Sequence, residues 1–112
     1  MDINTSVVGN IVVISLDGNF DGQTAEHVQE QLMSYITPNS SIVIDMSKCP
    51  YVSSAGLRVL LMAAKQLSKI NGTGVFVGLS EEIRDVMEMT GFSNIFESFN
   101  SINDAIKAIR KE

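Results

Sequence analysis

The chain has 112 residues, 45% of them apolar, with two prolines, no tryptophan, one cysteine and a formal charge of −5 at pH 7. That length suits one domain spanning residues 1–112, and the apolar content gives a mostly aliphatic core rather than disorder. The acidic balance argues against nucleic-acid or anionic-membrane binding, which need clustered Lys and Arg, and a lone Cys49 excludes an internal disulfide.

Met1-Asp2-Ile3-Asn4 lacks the basic start and apolar run of a secretion signal, so a cytoplasmic protein is expected. Val7-Val8-Gly9-Asn10-Ile11-Val12-Val13 reads as two short strands around a Gly-Asn turn. The second strand, Ile11 to Leu16, is apolar almost throughout, as an interior strand should be, and Asp17-Gly18-Asn19 closes it. Helical spacing follows, with Ala25, Val28, Leu32, Tyr35 and Ile36 on one face, until Thr37-Pro38-Asn39-Ser40 breaks it.

Ile42-Val43-Ile44-Asp45-Met46 predicts a buried strand. A loop then leads to a helix from about Ala55 to Ile70, with an expected core stripe of Leu57, Leu60, Leu61, Ala64 and Leu67. Asn71-Gly72 ends it, and Gly74 to Gly78 forms the next strand. Ser80 caps a third helix, with Glu81 and Glu82 in its first turn, Ile83, Val86 and Met87 inward, and Gly91 as a stop. A brief strand is expected around Ile95-Phe96, and a last helix starts at Ser101, burying Ile102, Ala105, Ile106 and Ile109. Strand and helix alternate after the hairpin, which implies an α/β fold with a mixed, mostly parallel sheet.

Chemistry concentrates in the stretch Ile44-Asp45-Met46-Ser47-Lys48-Cys49-Pro50-Tyr51-Val52-Ser53-Ser54-Ala55-Gly56-Leu57-Arg58. It places two serines where a helix begins, at the carboxyl end of a strand, which is the functional edge of an α/β sheet. On spacing alone, Ser54 or Ser53 is either an N-cap for the first-turn amides or a hydroxyl facing solvent for a partner. Ala55 and Gly56 are small enough for close approach, whether by a partner or by the domain's own backbone.

This stretch resembles the signature of STAS domains (sulphate transporter and anti-sigma-factor antagonist), and especially the stand-alone bacterial antagonists. In those, a strand ending Asp-Leu-Ser precedes Asp-Ser-Ser-Gly-Leu-Gly and an apolar helix. Asp45-Met46-Ser47 matches the first part and Ser53-Ser54-Ala55-Gly56-Leu57-Arg58 the second. Ser53 stands at the Asp position, Ala55 at the second Ser and Arg58 at the second Gly. Gly18-Asn19-Phe20-Asp21 resembles the family's Gly-x-Leu-Asp, and Thr90-Gly91-Phe92 its Ser/Thr-Gly-Leu/Phe.

The resemblance implies a STAS-like fold, with an N-terminal β-hairpin and about four helices, and a phosphorylated residue at Ser54, with Ser53 as the alternative. It also implies a mechanism. The unphosphorylated chain binds an anti-sigma factor that is also a serine kinase, so sigma factor is released. Phosphorylation reverses this, and a PPM-type serine phosphatase resets the switch. The chain is then a substrate and not an enzyme, with no cofactor or metal of its own. A non-phosphorylated STAS subunit of another complex, such as a lipid-transport assembly, is the alternative.

Partner-binding candidates are Asp21, Ser53, Ala55, Gly56, Arg58, Met62 and Lys65. Asp21 is either a helix cap or a partner contact. Arg58, Met62, Lys65 and Lys69 share the helix face opposite the core stripe, either as a solvated basic face or as a docking ridge. No acid/base pair, nucleophile with a histidine, phosphate loop or acidic receiver cluster is recognisable.

Overall fold

The computed structural model describes residues 1–91 and 97–111. Strand β1 (Asp2–Val8) turns through Gly9-Asn10 into antiparallel β2 (Ile11–Asp17). Gly9 takes a φ of 64° while Asn10 stays negative, the dihedral pattern of a II′ turn, which glycine adopts without a Cβ clash. β1 starts earlier than its composition suggests, because its polar residues are held by pairing with β2 rather than by burial.

Strands β3 (Ser41–Lys48), β4 (Thr73–Val77) and β5 (Glu97–Phe99) add in parallel, giving the order β1-β2-β3-β4-β5. The strand expected around Ile95-Phe96 lies outside the described residues. Three crossovers connect the parallel strands: α1 (Ala25–Tyr35), α2 (Ser54–Lys69) and α3 (Glu81–Met89). Each step adds a strand on the same side, so right-handed crossovers put all three helices on one face of the sheet. Their shared core holds Ile14, Leu16, Ile42, Ile44, Met46 and Phe76 with Val28, Leu32, Leu60, Leu67, Ile83 and Met87.

Among the described residues the other face carries α4 (Ile102–Arg110), packed on Ile11, Val13, Val43, Val75 and Val77 through Ala105 and Ile106. A helix of nine residues spans only about 14 Å. It covers the amino-terminal half of β2 and β3, and their later outward residues are polar: Ser15, Asp17, Asp45 and Ser47. Ser80 and Ser101 cap α3 and α4 by accepting from the Ile83 and Asp104 amides at 3.2 and 3.1 Å. Asn71 ends α2 in the left-handed region, with the Gly72 amide on the Leu67 carbonyl at 2.7 Å.

Three inward stripes differ from the sequence reading. In α2 the buried face is Gly56, Val59, Leu60, Ala63, Ala64 and Leu67, while Leu57 and Leu61 are only half-buried at its flank. Small residues let the helix lie close to the sheet, so the stripe follows size as well as hydrophobicity. In α3, Ile83 and Met87 are buried but Val86 remains 42% exposed. In α4 only Ala105 and Ile106 are buried, while Ile102 and Ile109 are half-buried beside them.

Candidate functional site

The site forms where the loops after β2 and β3 meet. An isolated parallel bridge joins Phe20 to Val52, the Phe20 amide donates to the Tyr51 carbonyl at 2.9 Å, and the Ser53 amide donates to the Phe20 carbonyl at 2.8 Å. Phe20 itself is fully buried and anchors both loops in the core. This stitching sets Asp21, the next residue, on the same edge as Ser53 and Ser54.

Geometry divides the two serines. Ser53 is the N-cap of α2, with extended backbone (ψ 174°) and a side-chain oxygen that accepts from the Gly56 amide at 3.2 Å. Ser54 is the first helical residue, exposed, and its hydroxyl has no hydrogen-bond partner among the described residues. The Ser54 and Ala55 amides are also unpartnered by any described residue. Among the four helices of the described residues, α2 alone has no acidic side chain in its first turn, so the positive end of its dipole is not neutralised there.

Ser54 heads a stripe with Arg58, Met62, Lys65 and Lys69, all exposed and separated by three or four residues. The stripe lies opposite the buried face of α2. Ala55 is half-exposed beside Ser54. Gly56 is different: it is buried, and a Cβ there would meet the Phe20 carbonyl oxygen at 2.8 Å and Val52 Cγ1 at 2.9 Å. Its small size serves the approach of the domain's own Phe20 loop, so Gly56 offers no side of itself to a partner.

Asp21 is half-buried, and its Oδ1 accepts from the Gln23 and Thr24 amides at 3.0 and 3.3 Å. The Asp21 amide in return donates to Thr24 Oγ1 at 3.0 Å. This carboxylate therefore caps the turn that opens α1, on the same sheet edge as Ser53 and Ser54. Asp45 has a comparable local task at the end of β3, where Oδ1 accepts from the Ser47 amide at 3.0 Å. Asp45 thereby shapes the β3 exit that leads toward Ser54.

Sequence patterning missed the neighbouring groove. Pro50, Tyr51 and Val52 of the loop, Leu57 of α2, and Glu82, Ile83 and Val86 of α3 line a mostly apolar groove of about 180 Å³. Tyr51 and Val86 line it while 53% and 42% exposed. Exposed apolar surface gathered in one place marks an interaction site more than scattered residues do. The available signal was the pairing of Leu57 and Val86, each judged inward from periodicity, yet each at the margin of its stripe.

Cys49 is 2% exposed, with its Sγ donating to the Tyr51 carbonyl at 3.5 Å. Burial pushes its thiol pKa up, against smaller opposing hydrogen bonds with the Tyr51 and Phe20 backbone. The thiol is a packing group beneath the loop. Among the described residues there is no cluster of three metal-ligating side chains, and no helix is long and apolar enough to cross a membrane.

Comparison with known proteins agrees with this layout. The STAS domain family model matches residues 2–105. BtrV of Bordetella bronchiseptica, named provisionally as an anti-sigma factor antagonist, is 32% identical over 111 residues, covering 98% of this chain and 96% of that protein. The anti-sigma-B factor antagonist of Listeria monocytogenes is 34% identical over 88 residues, or 78% of this chain and 77% of its own. Among solved structures, phosphorylated SpoIIAA of Bacillus aligns with a TM-score of 0.77 at 19% identity, over 96% of this chain and 99% of that one. Its unphosphorylated form also aligns with a TM-score of 0.77, at 18% identity over 97% and 98%. That likeness establishes the fold.

Proposed function

The chain belongs to the STAS domain family, and on that premise we propose that it is an anti-sigma factor antagonist whose state is set by phosphorylation of Ser54. The names of the Bordetella and Listeria relatives support the antagonist role. The observation that carries the switch is the division of labour between the serines. Ser53 is committed to the cap, while the Ser54 hydroxyl is exposed and, among the described residues, unpartnered at the head of the α2 stripe.

In the unphosphorylated state the surface around Ser54 binds an anti-sigma factor that is also a serine kinase, and sigma factor is released. Ala55, Arg58, Met62 and Lys65 supply the α2 side of the contact, Asp21 and the Ser53 turn its other margin, and the Tyr51–Val86 groove its apolar part. The kinase then brings ATP to Ser54. The serine oxygen bonds to the γ-phosphorus, the bond from that phosphorus to ADP breaks, and the hydroxyl proton passes to a base of the kinase. A PPM-type serine phosphatase hydrolyses the ester and restores the binding form. This chain is the substrate throughout and performs no catalysis. A cytoplasmic location suits those partners.

Magnitudes favour a local switch. A phosphate adds about −1.5 to −2 charges. At the α2 N-terminus it meets two free amides and an unneutralised dipole, an interaction worth about 0.3–1 kcal/mol in favour of the folded state. Arg58, one turn along the same stripe, is placed to pair with it. At a partner surface the same group is a desolvated charge, and a like-charge juxtaposition costs several kcal/mol, with each 1.4 kcal/mol a factor of about ten in affinity. The interface effect exceeds the folding effect, so binding changes while the fold persists.

Titrating wild type, Ser54→Ala and Ser54→Glu with the purified cognate anti-sigma factor tests this. Ser54→Ala should bind as wild type does. Ser54→Glu should bind at least about tenfold more weakly, with a melting temperature within about 2 °C of wild type. Unchanged affinity for the Glu variant, or a large loss of melting temperature, would remove the local switch.

A further inference from the structure

The far edge of the sheet carries a second surface. Strand β1 is the outer strand, and among the described residues only β2 pairs with it. The pairing runs through seven consecutive residue pairs, Asp2↔Asp17 to Val8↔Ile11, with no register shift. Exposed edges are usually blunted by proline, lysine, a bulge or a covering segment. Here Asp2-Ile3-Asn4-Thr5-Ser6-Val7-Val8 has no proline or lysine, its only charge is at one end, and Val7 is 67% exposed.

The turn fixes which backbone groups are free. Residues flanking a two-residue hairpin loop exchange both hydrogen bonds, so Val8 pairs inward with Ile11, and so in alternation do Ser6, Asn4 and Asp2. The amides and carbonyls of Ile3, Thr5 and Val7 consequently point away from β2, along the open edge.

We propose that β1 pairs antiparallel with β1 of a second copy about a twofold axis through Thr5. In that register Thr5 faces the partner's Thr5, Ile3 faces the partner's Val7 and Val7 the partner's Ile3. All three are the residues with outward backbone groups, giving about six new hydrogen bonds. Their side chains share the face that packs toward the helix layer, where Ile3 already touches the core and the Tyr35 hydroxyl donates to Thr5 Oγ1 at 3.2 Å. Exposed Val7 gains an aliphatic neighbour. Asp2 falls opposite the partner's Val8, so the Asp2 carboxylates of the two copies lie at opposite ends of the paired strands and do not oppose each other. Any register that brought them together would lose the Ile3–Val7 pairs as well.

A single strand edge buries less than the roughly 1,200 Å² typical of a stable interface. The association is therefore weak and concentration-dependent. It uses no residue of α2, α3 or the Ser54 edge, so two switches would be joined with both partner surfaces open.

Sedimentation over a concentration series tests the proposal with the full chain alone. The average mass of wild type should rise from 12.2 kDa toward twice that value as concentration approaches ~1 mM. Thr5→Pro removes an amide that makes no bond to β2, so the monomer should fold while association weakens by about tenfold or more. Val7→Lys should do the same by adding a charge to the edge, and it keeps the test independent of how proline is tolerated. Register is tested by oxidation: Thr5→Cys should form a symmetric disulfide dimer and Ser6→Cys, which falls opposite the partner's Asn4, should not; native Cys49 is buried and does not compete. A wild type that stays at 12.2 kDa, association unaffected by both edge variants, or equal crosslinking at Ser6 would each overturn the proposal. None of these outcomes bears on Ser54, whose role is read from partner binding.

Discussion

Replacing Gly56 with alanine is the sharpest test of how the site is built, because two effects oppose each other there. Alanine in a helix interior is favoured over glycine by about 1 kcal/mol. Gly56 sits in the first turn, where that gain is smaller, and the added Cβ would lie 2.8 Å from the Phe20 carbonyl oxygen, 2.9 Å from Val52 Cγ1 and 3.0 Å from Phe20 Cδ1. The side-chain contacts can relax, but the oxygen belongs to backbone and accepts from the Ser53 amide at 2.8 Å. Moving it strains the junction that holds the cap. Overpacking costs about 1–3 kcal/mol and a weakened hydrogen bond about 1 kcal/mol more, so the clash outweighs the propensity gain. A net loss of about 1–3 kcal/mol lowers the melting temperature by about 4–12 °C for a domain of this size. Thermal denaturation followed by circular dichroism measures it. A melting temperature equal to or above that of wild type would refute the close-approach reasoning.

Ser53→Ala should lose the α2 cap and about 1 kcal/mol of stability, measured by urea unfolding, while the chain remains a full substrate for the kinase. The double variant Arg58→Glu with Lys65→Glu should weaken anti-sigma binding in calorimetric titration while each change moves stability by less than about 0.5 kcal/mol; unchanged affinity would discard the basic ridge. For Cys49, the raised thiol pKa means that the unfolded chain gives up its proton first. Its contribution to stability is therefore full below the ordinary thiol range and is lost as pH rises through the raised native value. At neutral pH an alkylating reagent should modify Cys49 only as fast as the domain opens, and fast labelling of the native protein would contradict its burial.

Element order was readable because its signals are local. The Gly9-Asn10 turn, the Ser80 and Ser101 caps and the Asn71-Gly72 stop each act within a few residues, and each holds in the structure. What periodicity obscured was depth. Leu57 and Leu61 look more like core than Gly56 and Ala63, yet α2 buries the latter two among Val59, Leu60, Ala64 and Leu67, with Gly56 against the Phe20 loop. The displaced Leu57, together with Val86, then lines a groove that no spacing rule announces, since it exists only once α2, α3 and the Pro50–Val52 loop are brought together. The two serines show the same limit. Adjacent hydroxyls satisfy the same cap pattern, and only the backbone, extended at Ser53 and helical at Ser54, separates them.

The central claim is that Ser54, and not its neighbour, carries the switch. Incubating wild type and Ser54→Ala with the cognate kinase and ATP, then locating phosphate by fragment mass spectrometry, tests it most directly. The account predicts one phosphate on wild type, confined to Ser54, release of the modified chain from the kinase, and no uptake by Ser54→Ala. Phosphate on Ser53, or uptake by Ser54→Ala at the wild-type rate, would contradict it.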